Sequence, residues 1–320
     1  MKILITGVAG FIGSNLSLKT LELGYEVVGV DNFDPYYDIS LKKRNLESLF
    51  NFKNFKFYEA NILGRENMKK IILEEDPEVI VHLAARPGVR ASIVTPFEYL
   101  EINVKGTLTL LENIRNSKIR LIFASSSSVY GNKRGKFSES DKDIVPVSPY
   151  GFSKRAAEIL CETYNRLYGI KVLILRLFTV YGPSQRPDMA IHSFTKKILR
   201  GEEIEVFGEG RTKRDYTYVD DVVNGIINSF QLKDFDFDII NLGSSKPVSI
   251  LKVIGIIEKL LGKKAKVLLE PLPIGDVKKT YANIEKAKKI LNYKPLTSLE
   301  EGIESFLKWH EKNCKCCNGF

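Results

Sequence analysis

Short, continuous apolar runs recur along the first half of the chain, each closed by small or polar residues, and between them apolar residues return at helical spacing. Lys2–Thr6, Glu26–Val30, Phe55–Ala60, Val79–Leu83, Arg120–Ser125 and Lys171–Phe178 are runs of this kind and predict strands. Runs without alternation belong to strands covered on both faces, as in a parallel sheet flanked by helices. Ser14–Leu23, the stretch after Ile62, Pro96–Arg115 and the segment from Pro149 predict the helices between them. Ser148-Pro149 supplies an N-cap followed by proline in the first turn, and Gly24 and Gly169 end two helices. Asn32–Asn45, rich in Asp, Tyr and Lys, predicts a loop, and Arg86-Pro87-Gly88-Val89-Arg90 begins another.

The rhythm breaks at Pro183. Beyond it lie short helical patterns at His192–Arg200 and Asp220–Phe230, and brief strands at Ile204–Phe207 and Asp238–Leu242, with no internal repeat. The expected fold class is therefore α/β: a Rossmann-type doubly wound parallel sheet with a smaller mixed α/β substrate-binding domain. The expected boundaries are 1–179 and 214–244 for the first, 180–213 and 245–311 for the second, and a tail over 312–320.

Gly7, Gly10 and Gly13 follow the first strand and open the first helix, around Phe11 and Ile12. In that context the glycines allow a tight turn and a close approach to a pyrophosphate, and the helix start offers N–H donors. Asp31 ends the second strand, where a carboxylate accepts hydrogen bonds from a ribose diol and repels a 2′-phosphate, favouring NAD over NADP. Asn32, then Asn61-Ile62, flank the place of the adenine, and Leu83-Ala84-Ala85 ends the fourth strand in small residues that let a cofactor lie against the backbone.

Composition narrows the alternatives. The 320 residues are 44% hydrophobic, enough for a sizeable core. The net charge of +9 comes from scattered lysines without a zinc-finger spacing or a glycine-aromatic RNA signature, so no nucleic-acid partner is expected. No apolar run approaches a membrane span, and Thr6-Gly7 interrupts the N-terminal one before it makes a signal peptide. Of four cysteines, Cys161 falls in a helix and Cys314, Cys316 and Cys317 crowd a fraying tail; neither a disulfide framework nor a metal site is expected, consistent with a reducing cytoplasm.

The chemistry gathers on the fifth run. Ser125-Ser126-Ser127-Ser128 sits at the carboxyl end of a buried strand, where open α/β sheets bind ligands. Tyr150 and Lys154, four apart, share one face of the next helix, so a hydroxyl, a phenol and an ammonium converge. Tyr150 is the candidate base, with a pKa that must fall by roughly three units from near 10; one opposite charge nearby gives one to three, so Lys154 together with the cationic nicotinamide is expected to supply the fall. His82, inside an apolar run, reads as a satisfied core histidine.

With these residues in place, the chain resembles the extended short-chain dehydrogenase/reductase family, and within it the nucleotide-sugar epimerases, over Met1 to about Lys308. Arg186-Pro-Asp-Met-Ala190, Phe178-Thr-Val-Tyr-Gly-Pro183 and Lys213-Arg-Asp-Tyr-Thr-Tyr218 look most like UDP-glucuronate 4-epimerases. The resemblance implies Ser126, Tyr150 and Lys154 as the catalytic set. It also implies NAD held by Gly7, Gly10, Phe11, Ile12, Gly13, Asp31, Asn32, Asn61, Ile62, Leu83, Ala84, Ala85, Asn103, Tyr150 and Lys154. A UDP-sugar partner would meet Arg90, Ser127, Ser128, Thr179, Arg186, Met189, Val206, Phe207, Arg214 and Asp276, with Arg214 on the diphosphate and uncharged hydroxyls around a uronate carboxylate. Asn61 stands where the family usually has aspartate, and Pro273-Ile274 where it often has Gln or Arg. A homodimer is expected. Epimerisation of a neutral UDP-hexose, and a dinucleotide sensor without chemistry, remain as competing readings; the latter usually lacks the tyrosine or the lysine.

Overall fold

The computed structural model describes residues 1–232 and 235–313. The cysteines at 314, 316 and 317, and all of the expected tail beyond Asn313, lie outside the described residues. Twelve strands follow in chain order: β1 (Lys2–Thr6), β2 (Glu26–Asp31), β3 (Phe55–Glu59), β4 (Val79–His82), β5 (Arg120–Ser126), β6 (Val172–Leu177), β7 (Thr179–Tyr181), β8 (Glu203–Phe207), β9 (Lys213–Tyr218), β10 (Phe237–Leu242), β11 (Pro247–Ser249) and β12 (Lys266–Glu270).

Seven of them form one sheet in the order β10-β6-β5-β4-β1-β2-β3, with every pairing parallel. The strand order reverses between β1 and β4, which is the switch point where such sheets open a crevice beyond their carboxyl ends. The apolar runs explain the layering. Ile3 and Ile5, Val79 and Val81, and Ile122 point into one core, which continues through Ile204, Val206, Tyr216 and Phe306 into the smaller lobe. Leu4, Ile80, Leu121 and Phe123, one residue out of step, point into the other core against Met68, Ile71 and Leu110.

The expected doubly wound fold is thus present, and the smaller lobe is built from a three-stranded sheet β11-β9-β7 and a two-stranded one, β12-β8. Of the segment 214–244 assigned to the large domain, only β10 joins the seven-stranded sheet; β9 sits between β7 and β11. The helix Val219–Ser229, also in that segment, packs on the helix Phe11–Glu22.

Three expectations need correction. Asn32–Asn45 is not all loop: a helix spans Ile39–Glu47, started by the Asp38 carboxylate accepting from Ser40 N–H. Its only buried residues are Lys42 and Leu46, too thin a stripe for periodicity to reveal. The loop begun at Arg86 becomes helical already at Val89, over Val89–Val94. The helix expected over Pro96–Arg115 runs Pro96–Ile114 but passes through a π-helical turn at Leu100–Lys105, which carries the buried Asn103.

Candidate active site

β1 delivers Gly7 into a left-handed conformation, φ +74°, where a side chain would also meet the Ala84 backbone nitrogen at 2.8 Å. A Cβ on Gly13 would stand 2.1 Å from the Gly7 carbonyl, so the helix Phe11–Glu22 can start this close to β1 only with glycine there. No side chain caps that helix start, leaving its first N–H donors for an anion. Asp31, at the end of β2, is buried and accepts from Ala9 N–H at 3.0 Å and Phe33 N–H at 2.9 Å. Burial pushes its carboxyl up, opposed by those two N–H groups and the Lys42 ammonium, and further donors on the carboxylate would relieve the cost of burial.

These residues line one cleft of about 870 Å³ at the carboxyl edge of the sheet. Gly7, Gly10, Phe11, Ile12, Gly13, Asp31, Asn32, Asn61, Ile62, Leu83, Ala84 and Ala85 form the wall toward β1–β4. Ser126, Tyr150 and Lys154 form its floor, with Thr179, Arg186 and Met189 opposite.

The Ser148 hydroxyl accepts from Gly151 N–H at 3.1 Å and starts the helix Pro149–Tyr168. Lys154, one turn beyond Tyr150, is buried and donates from Nζ to the Ala124 carbonyl at 2.8 Å, with the Phe123 ring 5.0 Å away. Burial pulls its ammonium down to about 8, so it stays mostly protonated at neutral pH. Burial raises the Tyr150 phenol, while a hydrogen bond with Ser126 and the Arg186 charge pull it back, leaving a net upward shift. The expected fall is therefore not produced by the protein's own groups, because desolvation outweighs them.

His82 is held as expected. Its Nδ1 lies 2.8 Å from Thr6 Oγ1 and its Nε2 3.2 Å from Thr107 Oγ1, and burial pushes it down to about 3, so it is neutral.

Other expected residues stand apart from the cleft wall. Ser127 is buried in the turn that follows β5, and Ser128 accepts the Ser126 hydroxyl at 3.2 Å. Asn103 spends its amide on the Arg86 N–H (2.7 Å), the Arg86 carbonyl (3.0 Å) and Ser153 Oγ (2.9 Å), pinning the loop after β4 to the Tyr150 helix. Phe207, Arg214 and Asp276 of the smaller lobe form a separate cluster with Arg90 from the helix Val89–Val94. The Arg90 guanidinium packs 3.9 Å from the Phe207 ring centroid and donates to Asp276 at 2.9 and 3.3 Å. Burial lowers the neighbouring Arg214, opposed by Tyr216 and Asp276. Val206 is buried behind this cluster.

Sequence reasoning missed the aromatic strap over the cleft. Tyr36 lies between two guanidinium groups, Arg86 at 5.1 Å and Arg186 at 5.8 Å, and its hydroxyl donates to Asp188 at 3.3 Å. Arg186 is bidentate on Asp188, at 3.0 and 3.1 Å, and Arg86 is paired with Asp34 and Glu98. The paired tyrosines and acids of 31–38 were its only trace in the sequence.

A glycine turn at an uncapped helix start, a buried carboxylate at the end of β2 and a Ser-Tyr-Lys set thus line one cleft. The model of the "NAD dependent epimerase/dehydratase family" matches residues 3–243. The chain belongs to that family. Its members include the UDP-glucuronate 4-epimerase of Thermodesulfobacterium geofontis, 44% identical over 312 residues that cover 97% of this chain and 96% of that one. The UDP-glucuronic acid 4-epimerase of Bacillus cereus, solved with UDP-glucuronic acid and NAD, superimposes with a TM-score of 0.93 at 40% identity, covering 98% and 99% of the two chains. The UDP-glucose 4-epimerase of Thermotoga maritima, solved with UDP-glucose, follows at a TM-score of 0.89 and 34% identity, covering 98% and 100%. For this family member NAD is the cofactor, and the Gly7–Gly13 cradle and the Asp31 carboxylate fit it.

Proposed function

We propose that this epimerase interconverts UDP-glucuronate and UDP-galacturonate at C4. Residues 1–179 and 214–244 mainly serve NAD and 180–213 with 245–311 the UDP-sugar, with Arg90, Ser126, Thr179 and Arg214 reaching the sugar nucleotide from the first set. Supporting the reading is one observation above the rest: Ser126, Tyr150 and Lys154 share a cleft with the uncharged Thr179, whose hydroxyl can donate to a carboxylate near the reacting carbon.

Tyr150 Oη takes the proton of the C4 hydroxyl while Ser126 Oγ holds the same sugar oxygen, and Lys154 offers its charge to the phenolate. NAD held by the Gly7–Gly13 turn and Asp31 would supply the acceptor for the C4 hydride and its return. The chain's part is then to anchor the nucleotide through Arg214, Arg90 and Asp276 while the 4-keto sugar turns its opposite face to the cofactor side, and to return the Tyr150 proton to the C4 oxygen. Arg186 approaches from the far wall, and its bidentate bond to Asp188 keeps it off the carboxylate.

The competing neutral-hexose reading draws on the likeness to the Thermotoga enzyme. Incubating the protein with a panel of UDP-sugars, without added NAD, and identifying products by NMR separates the two. UDP-galacturonate from UDP-glucuronate is the expected product, and a kcat/KM ratio of UDP-glucuronate to UDP-glucose at or below about one refutes the assignment.

A cytoplasmic homodimer goes with this proposal. The adjoining helices Val89–Val94, Pro96–Tyr99 and Pro149–Tyr168 expose Val94, Phe97, Phe152 and Ile159, an apolar surface suited to a second copy. Sedimentation at twice the chain mass is the expected result.

A further inference from the structure

Beneath Lys154 lies a buried acid that the mechanism above does not use. Glu158 is one turn further along the same helix and fully buried. Its Oε1 accepts from Ser125 Oγ at 2.6 Å and Arg176 Nε at 2.9 Å, and its Oε2 accepts from Arg176 Nη2 at 2.8 Å and Arg155 Nη1 at 2.9 Å.

The partners are not scattered. Ser125 on β5 is in register with Arg176 on β6, and Arg176 with Asn241 on β10. The Arg176 guanidinium lies 4.7 Å from the Tyr130 ring, whose hydroxyl donates to Asn241 at 2.8 Å. A polar line thus crosses three strands at the level where β5 ends, next to the Ala124 carbonyl that receives the Lys154 ammonium.

A buried ion pair is weak evidence for stability, since an apolar replacement of the same shape is often as good. Its location asks for another reason. Lys154 must remain a cation to act on Tyr150, and it is buried. The groups around it are Cys161 on its own helix, His82 from β4, and the Phe123 ring and Ala124 carbonyl of β5, with Tyr150 one turn back along the helix. Burial holds His82 neutral and pushes the Cys161 thiol up, so neither supplies a negative charge at working pH. Arg176 and Arg155 lie on the Glu158 carboxylate itself. Among the described residues, Glu158 is left as the anion that favours the Lys154 ammonium.

We infer that Glu158 is a positioning residue for catalysis: its carboxylate ties the Tyr150–Lys154 helix to the end of β5 through Ser125 and Arg176, and sets an anion one helical turn from the Lys154 ammonium. The inference rests on the Tyr150–Lys154 mechanism proposed above, but its first readout needs no substrate.

With lysine labelled at 13Cε, and the Lys154 resonance assigned from its loss in Lys154→Arg, the midpoint of that resonance is followed with pH. Glu158→Gln keeps the shape of the side chain and removes its charge. It is expected to lower the midpoint by about one pH unit, the scale of a single opposite charge lost at close range. In the alkaline limb of kcat the same shift is expected, with KM for UDP-glucuronate held within about twofold. Arg176→Gln breaks the same buried pair but leaves the acid, so a merely structural role would move the midpoint down as in Glu158→Gln. The expected result is no downward movement. Should Glu158→Gln alone fail to fold, the doubly neutral Glu158→Gln/Arg176→Gln protein is expected to show the downward shift. An unchanged midpoint in the folded Glu158 variant, or an equal fall in Arg176→Gln, overturns the inference. A wild type that lacks epimerase activity but shows the shift overturns the reaction proposed above and leaves only the effect of the Glu158 charge on Lys154 standing.

Discussion

The two walls of the cleft are made in different ways. The wall toward β1–β5 comes from consecutive strand ends of one sheet, with Gly7, Asp31, Ala84 and Ser126 each at or just beyond the end of a parallel strand. The opposite side, and the cluster beyond it toward the smaller lobe, are gathered from segments far apart: Tyr36 meets Asp188 across 152 positions, and outside the cleft wall Arg90 meets Asp276 across 186. The first places reacting groups through backbone register, which ligand binding does not need to reorder. The second relies on long, charged side chains that already pair with one another, and a substrate must compete for them. Chemistry is thus expected to depend on the sheet edge and affinity on the smaller lobe.

The largest expected effect tests the sheet edge. Tyr150→Phe removes the proton acceptor and leaves the anchoring groups, so turnover should fall by at least about 10² while UDP affinity, measured by calorimetry, stays close to wild type. Near-normal turnover would remove Tyr150 from the mechanism. Arg214→Ala is the mirror experiment. Losing a charged hydrogen bond worth roughly 1.5–3 kcal/mol should raise the KM for a UDP-sugar by about 10- to 100-fold. A fall confined to kcat would put Arg214 on the wrong side of the comparison.

Thr179→Ala lies on the boundary between the walls, where the chain passes from β6 in the large sheet to β7 in the small one. It should lower the UDP-glucuronate to UDP-glucose ratio of kcat/KM by about tenfold, the value of one hydrogen bond near 1.4 kcal/mol. An unchanged ratio would take the threonine out of substrate choice.

The smallest effect concerns stability and touches both lobes. Burial pushes His82 down to about 3 and His310, against His192 in the smaller lobe, down to about 4. Unfolded histidine takes up its proton near pH 6.5, whereas these two do so only below it, so the unfolded state binds more protons as pH falls. Stability should therefore decline from about pH 6.5 toward 3, and the urea midpoint of His82→Gln should decline less steeply than that of the wild type. Parallel slopes in the two proteins would show that His82 titrates freely.

Much of the sheet edge was legible beforehand because its signals are local. An apolar run, a glycine turn, an aspartate about 20 residues later, and Ser148-Pro149 ahead of Tyr150 each need only neighbouring residues to be interpreted. The smaller lobe lacked such signals. β12 pairs with β8, yet Val267, Leu268 and Leu269 are all substantially exposed, so no alternation marks a buried face. The helix Ile39–Glu47 shows little more than Leu46 to the core. The π-helical turn is specified by where the Asn103 amide finds partners on Arg86 and Ser153, which helical periodicity does not encode.

By itself the sequence determined the parallel sheet, the order of its glycine, aspartate, serine, tyrosine and lysine, and hence a dinucleotide site with a candidate acid–base pair. These follow from side-chain period and backbone sterics, which act over a few residues. Only the tertiary structure decided that the Tyr150 phenol is pushed up rather than down, that Arg186 is occupied by Asp188 beneath Tyr36, and that Glu158 stands under Lys154 on a line through Ser125 and Arg176. Desolvation and charge pairing depend on what surrounds a group in three dimensions, and those neighbours come from strands and loops that the chain order keeps far apart.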